Sequence, residues 1–96
     1  MSILEKHNGT TIADQLIKFD VEGDALLVVS NQNNDATPYS ANLCILRSTQ
    51  GTADSDYLEM VPQIELGNDN NYQVITAGSY ALKVVTAADI IVAVHV

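Results

Sequence analysis

Two histidines, one cysteine and twelve carboxylates are the side chains of this 96-residue chain best equipped for chemistry. A nucleophile needs a base within reach. His7 lies near the start, His95 beside Val96, and Cys44 sits inside Leu43-Cys44-Ile45-Leu46. A thiol in such a run behaves as a small buried hydrophobe. The strained Gly-x-Ser-x-Gly elbow of hydrolases is absent, and the five glycines are isolated turn glycines. The carboxylates offer calcium chemistry instead. Asp20, Glu22 and Asp24 alternate, as do Asp54 and Asp56, and Asn68-Asp69-Asn70 adds a further group. Oxygen ligands at such spacing can hold calcium. The EF-hand spacing with its distal glutamate is missing, and Asn and Asp are also the commonest turn formers. Plain turns, no metal and no cofactor are therefore the expectation. The two histidines have no cysteine partners for zinc. Sugar-binding modules stack rings on exposed aromatics. Tyr39 and Tyr57 are the expected exposed rings, Tyr72 and Tyr80 alternate with core residues, and there is no Trp. These residues point away from an enzyme and towards a structural or binding module.

Charge narrows the partners. Twelve acids against four bases give −8, and Lys6, Lys18, Arg47 and Lys83 are nowhere adjacent. Nucleic-acid binding rests on clustered Lys and Arg that neutralise phosphates, and anionic membranes select the same clusters. Neither direct nucleic-acid nor membrane-surface binding is expected. The acidic balance itself favours solubility. Met1-Ser2-Ile3-Leu4-Glu5-Lys6 lacks the basic start and apolar stretch of a signal peptide. No stretch approaches the ~20 apolar residues of a membrane span. A reducing cytoplasm is the expected place of synthesis.

The elements that must position these side chains read as strands. The chain is 47% hydrophobic but only 5% aromatic, so a core must be built from Val, Ile, Leu and Ala. Gln15 to Val21 alternates, with Ile17, Phe19 and Val21 on one side and Lys18 and Asp20 on the other, as in a half-buried strand. Glu22-Gly23-Asp24 is a reversal. Ala25 to Ser30 is apolar on both faces, as in a central strand. Further strands are predicted at Ala41–Thr49, Tyr57–Leu66, Asn71–Thr76, Ser79–Thr86 and Asp89–Val96. In Tyr57–Leu66 the inward set is Leu58, Met60, Ile64 and Leu66, and Pro62 predicts an edge or a bulge. Polar loops are expected at Asn31–Ser40, Gln50–Asp56 and Gly67–Asn70. Ala77-Gly78 and Ala87-Ala88 read as hairpin connections, which makes the C-terminal half a meander. Thr11-Ile12-Ala13-Asp14 fits a helix capping box of one turn at most.

These elements predict an all-β fold: an antiparallel β-sandwich or small barrel of about seven strands. Residues 1–14 are expected to be a short N-terminal arm and residues 15–96 the β-sandwich domain. Strands apolar on both faces need a cover on each side. Leu26 and Val28, and Ile91 and Ala93, form the surplus face. A homo-oligomer or a partner surface is expected to cover it, with Ile3, Leu4, His7, Ile91, Ala93 and His95 as the interaction residues.

The segment Ala77-Gly78-Ser79-Tyr80-Ala81-Leu82-Lys83-Val84-Val85-Thr86, followed by Asp89-Ile90-Ile91-Val92-Ala93-Val94, resembles the close of small phage virion proteins. These often finish with a Gly-x-Tyr strand, a short turn and a β-branched strand. The acidic balance is similar to that of phage head-decoration, or cement, proteins. The resemblance implies a virion structural protein that stabilises a capsid by protein–protein contacts. Its partner would be the major capsid protein or another virion protein, and its location the virion, assembled in the host cytoplasm. The competing expectation is a small binding module for carbohydrate or calcium-dependent adhesion.

Overall fold

Period-two alternation becomes strand along the computed structural model, which describes residues 2–32, 39–60, 64 and 70–96, Asn70 by its backbone alone. The strands are β1 (Ile3–Thr10), β2 (Gln15–Val21), β3 (Ala25–Asn31), β4 (Ala41–Leu46), β5 (Tyr57–Glu59), β6 (Asn70–Ile75), β7 (Gly78–Val84) and β8 (Asp89–His95). A short 3-10 turn at Asp54–Asp56 leads into β5. Sheet A has the order β1-β8-β3-β6 and sheet B the order β2-β7-β4-β5. Every pairing is antiparallel. The fold is an all-β sandwich of two four-stranded sheets, with eight strands rather than seven among the described residues.

The core lies between the sheets. Sheet B contributes Ile17, Phe19 and Val21 from β2, Tyr80, Leu82 and Val84 from β7, and Ala41 and Leu43 from β4. Sheet A contributes Ala25, Leu27 and Val29 from β3, Ile90, Val92 and Val94 from β8, and Ile75 from β6. Each set is alternate residues of its strand, so the pleat alone sends these side chains inward. The rings of Phe19 and Tyr80 sit opposite each other with centroids 5.9 Å apart. Tyr80 also donates its hydroxyl to the Thr76 carbonyl at 3.0 Å. A tyrosine bonding back to backbone a few residues upstream is a known corner device of β-sandwiches. Gly78 makes room for it, because a Cβ there would meet the Tyr80 ring at 3.2 Å.

Several expectations change. Residues 3–10, expected within an arm, are strand β1, paired with β8 from Ile3↔His95 to Thr10↔Asp89. Backbone bonds between Ser2 and Val96 extend that ladder. The last strand is therefore an interior strand of sheet A, flanked by β1 and β3. The expected meander is absent: β6 and β8 belong to sheet A and β7 to sheet B, so each short connection crosses the sandwich. The segment Thr11–Asp14 forms a turn without helix, with Asp14 at φ 60°. There the Thr11 hydroxyl accepts the Ala88 N–H at 3.1 Å instead of capping a helix. Tyr39, expected at the surface, is 4% exposed in the core. Met60 and Ile64 pack on the core as their alternation requires, whereas Leu58 is exposed opposite Ile45. The readings of Pro62, Leu66, the turn Gly67–Asp69 and residues 33–38 lie outside the described residues.

Candidate functional site

Opposite residues of an antiparallel pair share a face, so the registers of sheet A assemble its outer surface row by row. The first row runs Ile3, His95, Leu26, Val74, and the second Glu5, Ala93, Val28, Tyr72. The third carries Asn8, Ile91 and Ser30. The middle of this surface is aliphatic, and its charged residues stand at the margins: Glu5 on the β1 rim, and Asp89 at the start of β8, where its carboxylate accepts from Gln32 Nε2 at 3.0 Å. Tyr72 is 73% and Val74 69% exposed. Leu26, Val28 and Ile91 are half-buried by their neighbours in the sheet. Ala93 is 6% exposed because its methyl group lies down among longer side chains. Among the described residues no third layer covers this face.

The outer face of sheet B has the opposite character. Its rows are Leu16, Lys83, Asn42; Lys18, Ala81, Cys44, Glu59; and Asp20, Ser79. Lys18 pairs with Asp54 at 2.9 Å, donates to the Thr52 carbonyl at 2.8 Å and lies 5.3 Å from the Tyr57 ring centroid. Arg47 pairs with Asp56 at 3.1 Å, and the other oxygen of Asp56 accepts the Ala53 N–H at 3.0 Å. The Asp54 and Asp56 carboxylates thus serve turn geometry and surface ion pairs. Each exposed pair adds less than about 1 kcal/mol, so they mark a solvated face and are not a main source of stability.

A shallow cleft of about 350 Å³ on this face is lined by Asp14, Leu16, Cys44, Tyr57, Glu59 and Lys83. Burial pushes the Cys44 thiol above its ordinary pKa; the Glu59 carboxylate adds to the rise and Lys83 opposes it. A thiol held protonated is a poor nucleophile. Both histidines are on sheet A, in the other layer. His7 holds the Gly9 carbonyl at 3.0 Å through Nε2, a bond in which Nε2–H is the donor.

The predicted interaction residues divide. Ile3, Ile91, Ala93 and His95 share the outer face of sheet A with Leu26 and Val28. Leu4 is opposite Val94 and His7 opposite Val92, so both lie on the inward side of β1. The change of phase between them comes from a bulge between Glu5 and His7, which places Lys6 out of register. Leu4 and Lys6 instead border an end cleft of about 410 Å³ against the Asp20–Asp24 turn. Tyr72 and Val74 are the members that sequence reasoning missed. In Asn71-Tyr72-Gln73-Val74-Ile75 either phase places an apolar residue inward, so alternation alone leaves the face undecided.

Fold and surface together define a class: an antiparallel β-sandwich with one charged outer face and one aliphatic outer face. No protein-family profile matches the sequence, and no curated protein or solved structure is significantly similar to it.

Proposed function

We propose that this protein is a structural module that works by protein–protein contact, seated on its partner through the outer face of sheet A. The observation that carries the reading is the contrast between the two outer faces. Lys18, Asp20, Glu59 and Lys83 furnish one, and Leu26, Val28, Tyr72, Val74 and Ile91 the other. Contiguous exposed apolar surface on a small domain marks a site of association. The resemblance to phage head-decoration proteins supplies the partner. The proposed role is capsid decoration, with sheet A against the major capsid protein or another virion protein and sheet B towards solvent.

Co-sedimentation with purified capsids tests the reading. The wild-type chain is expected to travel with capsids at micromolar concentration. Ile91→Lys, on interior strand β8 of the aliphatic face, should abolish this, while Asp20→Lys on the opposite face should leave it unchanged. A wild-type chain that stays in the supernatant, or equal loss in both variants, refutes the role. The exposed ring of Tyr72 favours carbohydrate binding as a second reading. Glycan binding that Tyr72→Ala removes would replace the first reading.

A further inference from the structure

Among the described residues two four-stranded sheets leave four edge strands, and open edges are normally blunted by charge, bulges or brevity. Three of the four follow that pattern. β1 is bulged between Glu5 and His7, at Lys6. β2 carries Lys18 and Asp20. β5 is three residues long. The fourth, β6, does not. It reads Asn-Asn-Tyr-Gln-Val-Ile, with no charge and no proline. Its register with β3 is unbroken from Ala25↔Ile75 to Ser30↔Asn70. The Val74 carbonyl accepts Nε2 of Gln73 at 3.1 Å in an exposed position, so this carbonyl is turned away from β3. Backbone groups of successive residues in a strand point to alternate sides. Tyr72 and Val74 therefore direct their backbone groups to the open side, and both side chains are exposed as well.

We propose that β6 pairs antiparallel with β6 of a second copy, about a two-fold axis at Gln73, joining two A sheets into one continuous eight-stranded sheet. The occupant is a second copy because the strand is complementary to itself. In a two-fold pairing, residues that face each other must share a face of the sheet. Centring the axis on Gln73 sets Tyr72 of each copy against Val74 of the other, twice. An aromatic residue opposite a β-branched one is a favourable cross-strand pair. The same register makes Tyr72 and Val74 the hydrogen-bonded pair and leaves Gln73 facing its own symmetry mate at the closer, non-bonded spacing.

Charge permits the contact. Each copy carries −8, yet β6 and its outer-face neighbours Leu26, Val28 and Ser30 are uncharged. On the same face Asp89 lies two strands across and four residues along from Tyr72, on the order of 17 Å away, and Glu5 lies three strands away. At ~4.8 Å per strand that is about 14 Å, beyond the ~8 Å screening length at physiological salt. Six residues at ~3.4 Å each give an edge about 20 Å long, which places the interface in the small, reversible class below ~1,200 Å². The inference does not depend on the capsid reading; it joins two aliphatic faces into one wider platform whatever that platform meets.

Sedimentation velocity from about 10 μM to about 1 mM, the range in which interfaces this small associate, is the experiment. The expected result is a concentration-dependent monomer–dimer equilibrium. Tyr72→Lys alone and Val74→Glu alone should each weaken association at least about tenfold, or ~1.4 kcal/mol. The double variant should recover it, because the register brings the two new charges opposite each other. Gln73→Cys should form an intermolecular disulfide on oxidation, since the axis sets that residue against itself. Circular dichroism of each variant, all at exposed or half-exposed positions, checks that the fold persists. A strict monomer at the highest concentration overturns the proposal. So does a dimer indifferent to both single substitutions, or a double variant that fails to recover. Capsid co-sedimentation is a separate readout, so either idea can fail alone.

Discussion

Ile90 and Ile91 are chemically identical neighbours on β8 with opposite assignments, and replacing each by alanine tests the assignment directly. Ile90 is 0% exposed, packed between the sheets. Ile91 faces outward beside Asn8 and Ser30. Ile90→Ala leaves a cavity that the sandwich fills only in part, at about 2–5 kcal/mol for a buried isoleucine or leucine. A domain of this size has only about 5–15 kcal/mol in total. At about 4–8 °C per kcal/mol, the melting temperature should fall by at least about 8 °C. Ile91→Ala opens no cavity, because the space it vacates belongs to solvent. Its cost is the weaker strand preference of alanine, which spans at most ~1 kcal/mol. Urea unfolding followed by far-ultraviolet circular dichroism measures both, since the chain has no tryptophan. The slope with denaturant should be common to the two, so that the midpoints report stability alone. Equal losses, or a larger loss for Ile91→Ala, would refute both the phase of β8 and the outer face built on it.

Thr11→Val keeps the shape of a 2%-exposed side chain but removes the oxygen that accepts the Ala88 N–H. An unsatisfied buried donor costs about 1–3 kcal/mol; in the same urea assay, a Thr11→Val loss no larger than that of Thr11→Ser would show that the bond contributes nothing. Cys44 gives a pH signature. Its raised pKa means the folded chain keeps the thiol proton after the unfolded chain has begun to lose it. The contribution is complete below the ordinary thiol value of 9.0 and is lost as pH rises from there through the raised folded value. Wild type should lose stability over that window more steeply than Cys44→Ala, and parallel profiles would remove burial as the cause.

Legibility in the sequence follows local pattern and stops where long-range pairing begins. Strand β2 is read residue for residue at Gln15–Val21, because its alternation is clean and Glu22-Gly23-Asp24 ends it. β3 and β8 are read as two-faced strands because both of their faces are apolar, and both prove to be interior strands of sheet A. β1 is opaque for a physical reason. The bulge at Lys6 breaks its phase, and an edge position leaves most of its side chains exposed, so neither period nor hydrophobicity marks it. The connections at Ala77 and Ala87-Ala88 are short enough for hairpins, yet each carries the chain to the other sheet. A short connection fixes reversal but not whether the next strand pairs or packs. For the surface, Leu26, Val28, Ile91 and Ala93 are legible as a surplus apolar face. Tyr72 and Val74 join them only because β6 pairs beside β3, which no local pattern encodes.

The stretch that carries the resemblance to virion proteins turns out to serve packing. Gly78 clears space for the Tyr80 ring, and the Tyr80 hydroxyl secures the corner at Thr76. Such a corner belongs to sandwiches of many functions, so it supports the architecture more than the role. The residues that speak to function are therefore those the core does not need. Leu27, Val29, Ile90, Val92 and Val94 account for folding, being fully or almost fully buried. Leu26, Val28 and Ile91 sit between them on the same strands and face the other way. A solvated antiparallel sheet ordinarily alternates apolar with polar residues, as β2 does with Lys18 and Asp20. β3 and β8 spend apolar residues on a face that, in the single chain, yields little stability in return. A surface that only solvent touched would have no use for them, and a surface that another protein covers would.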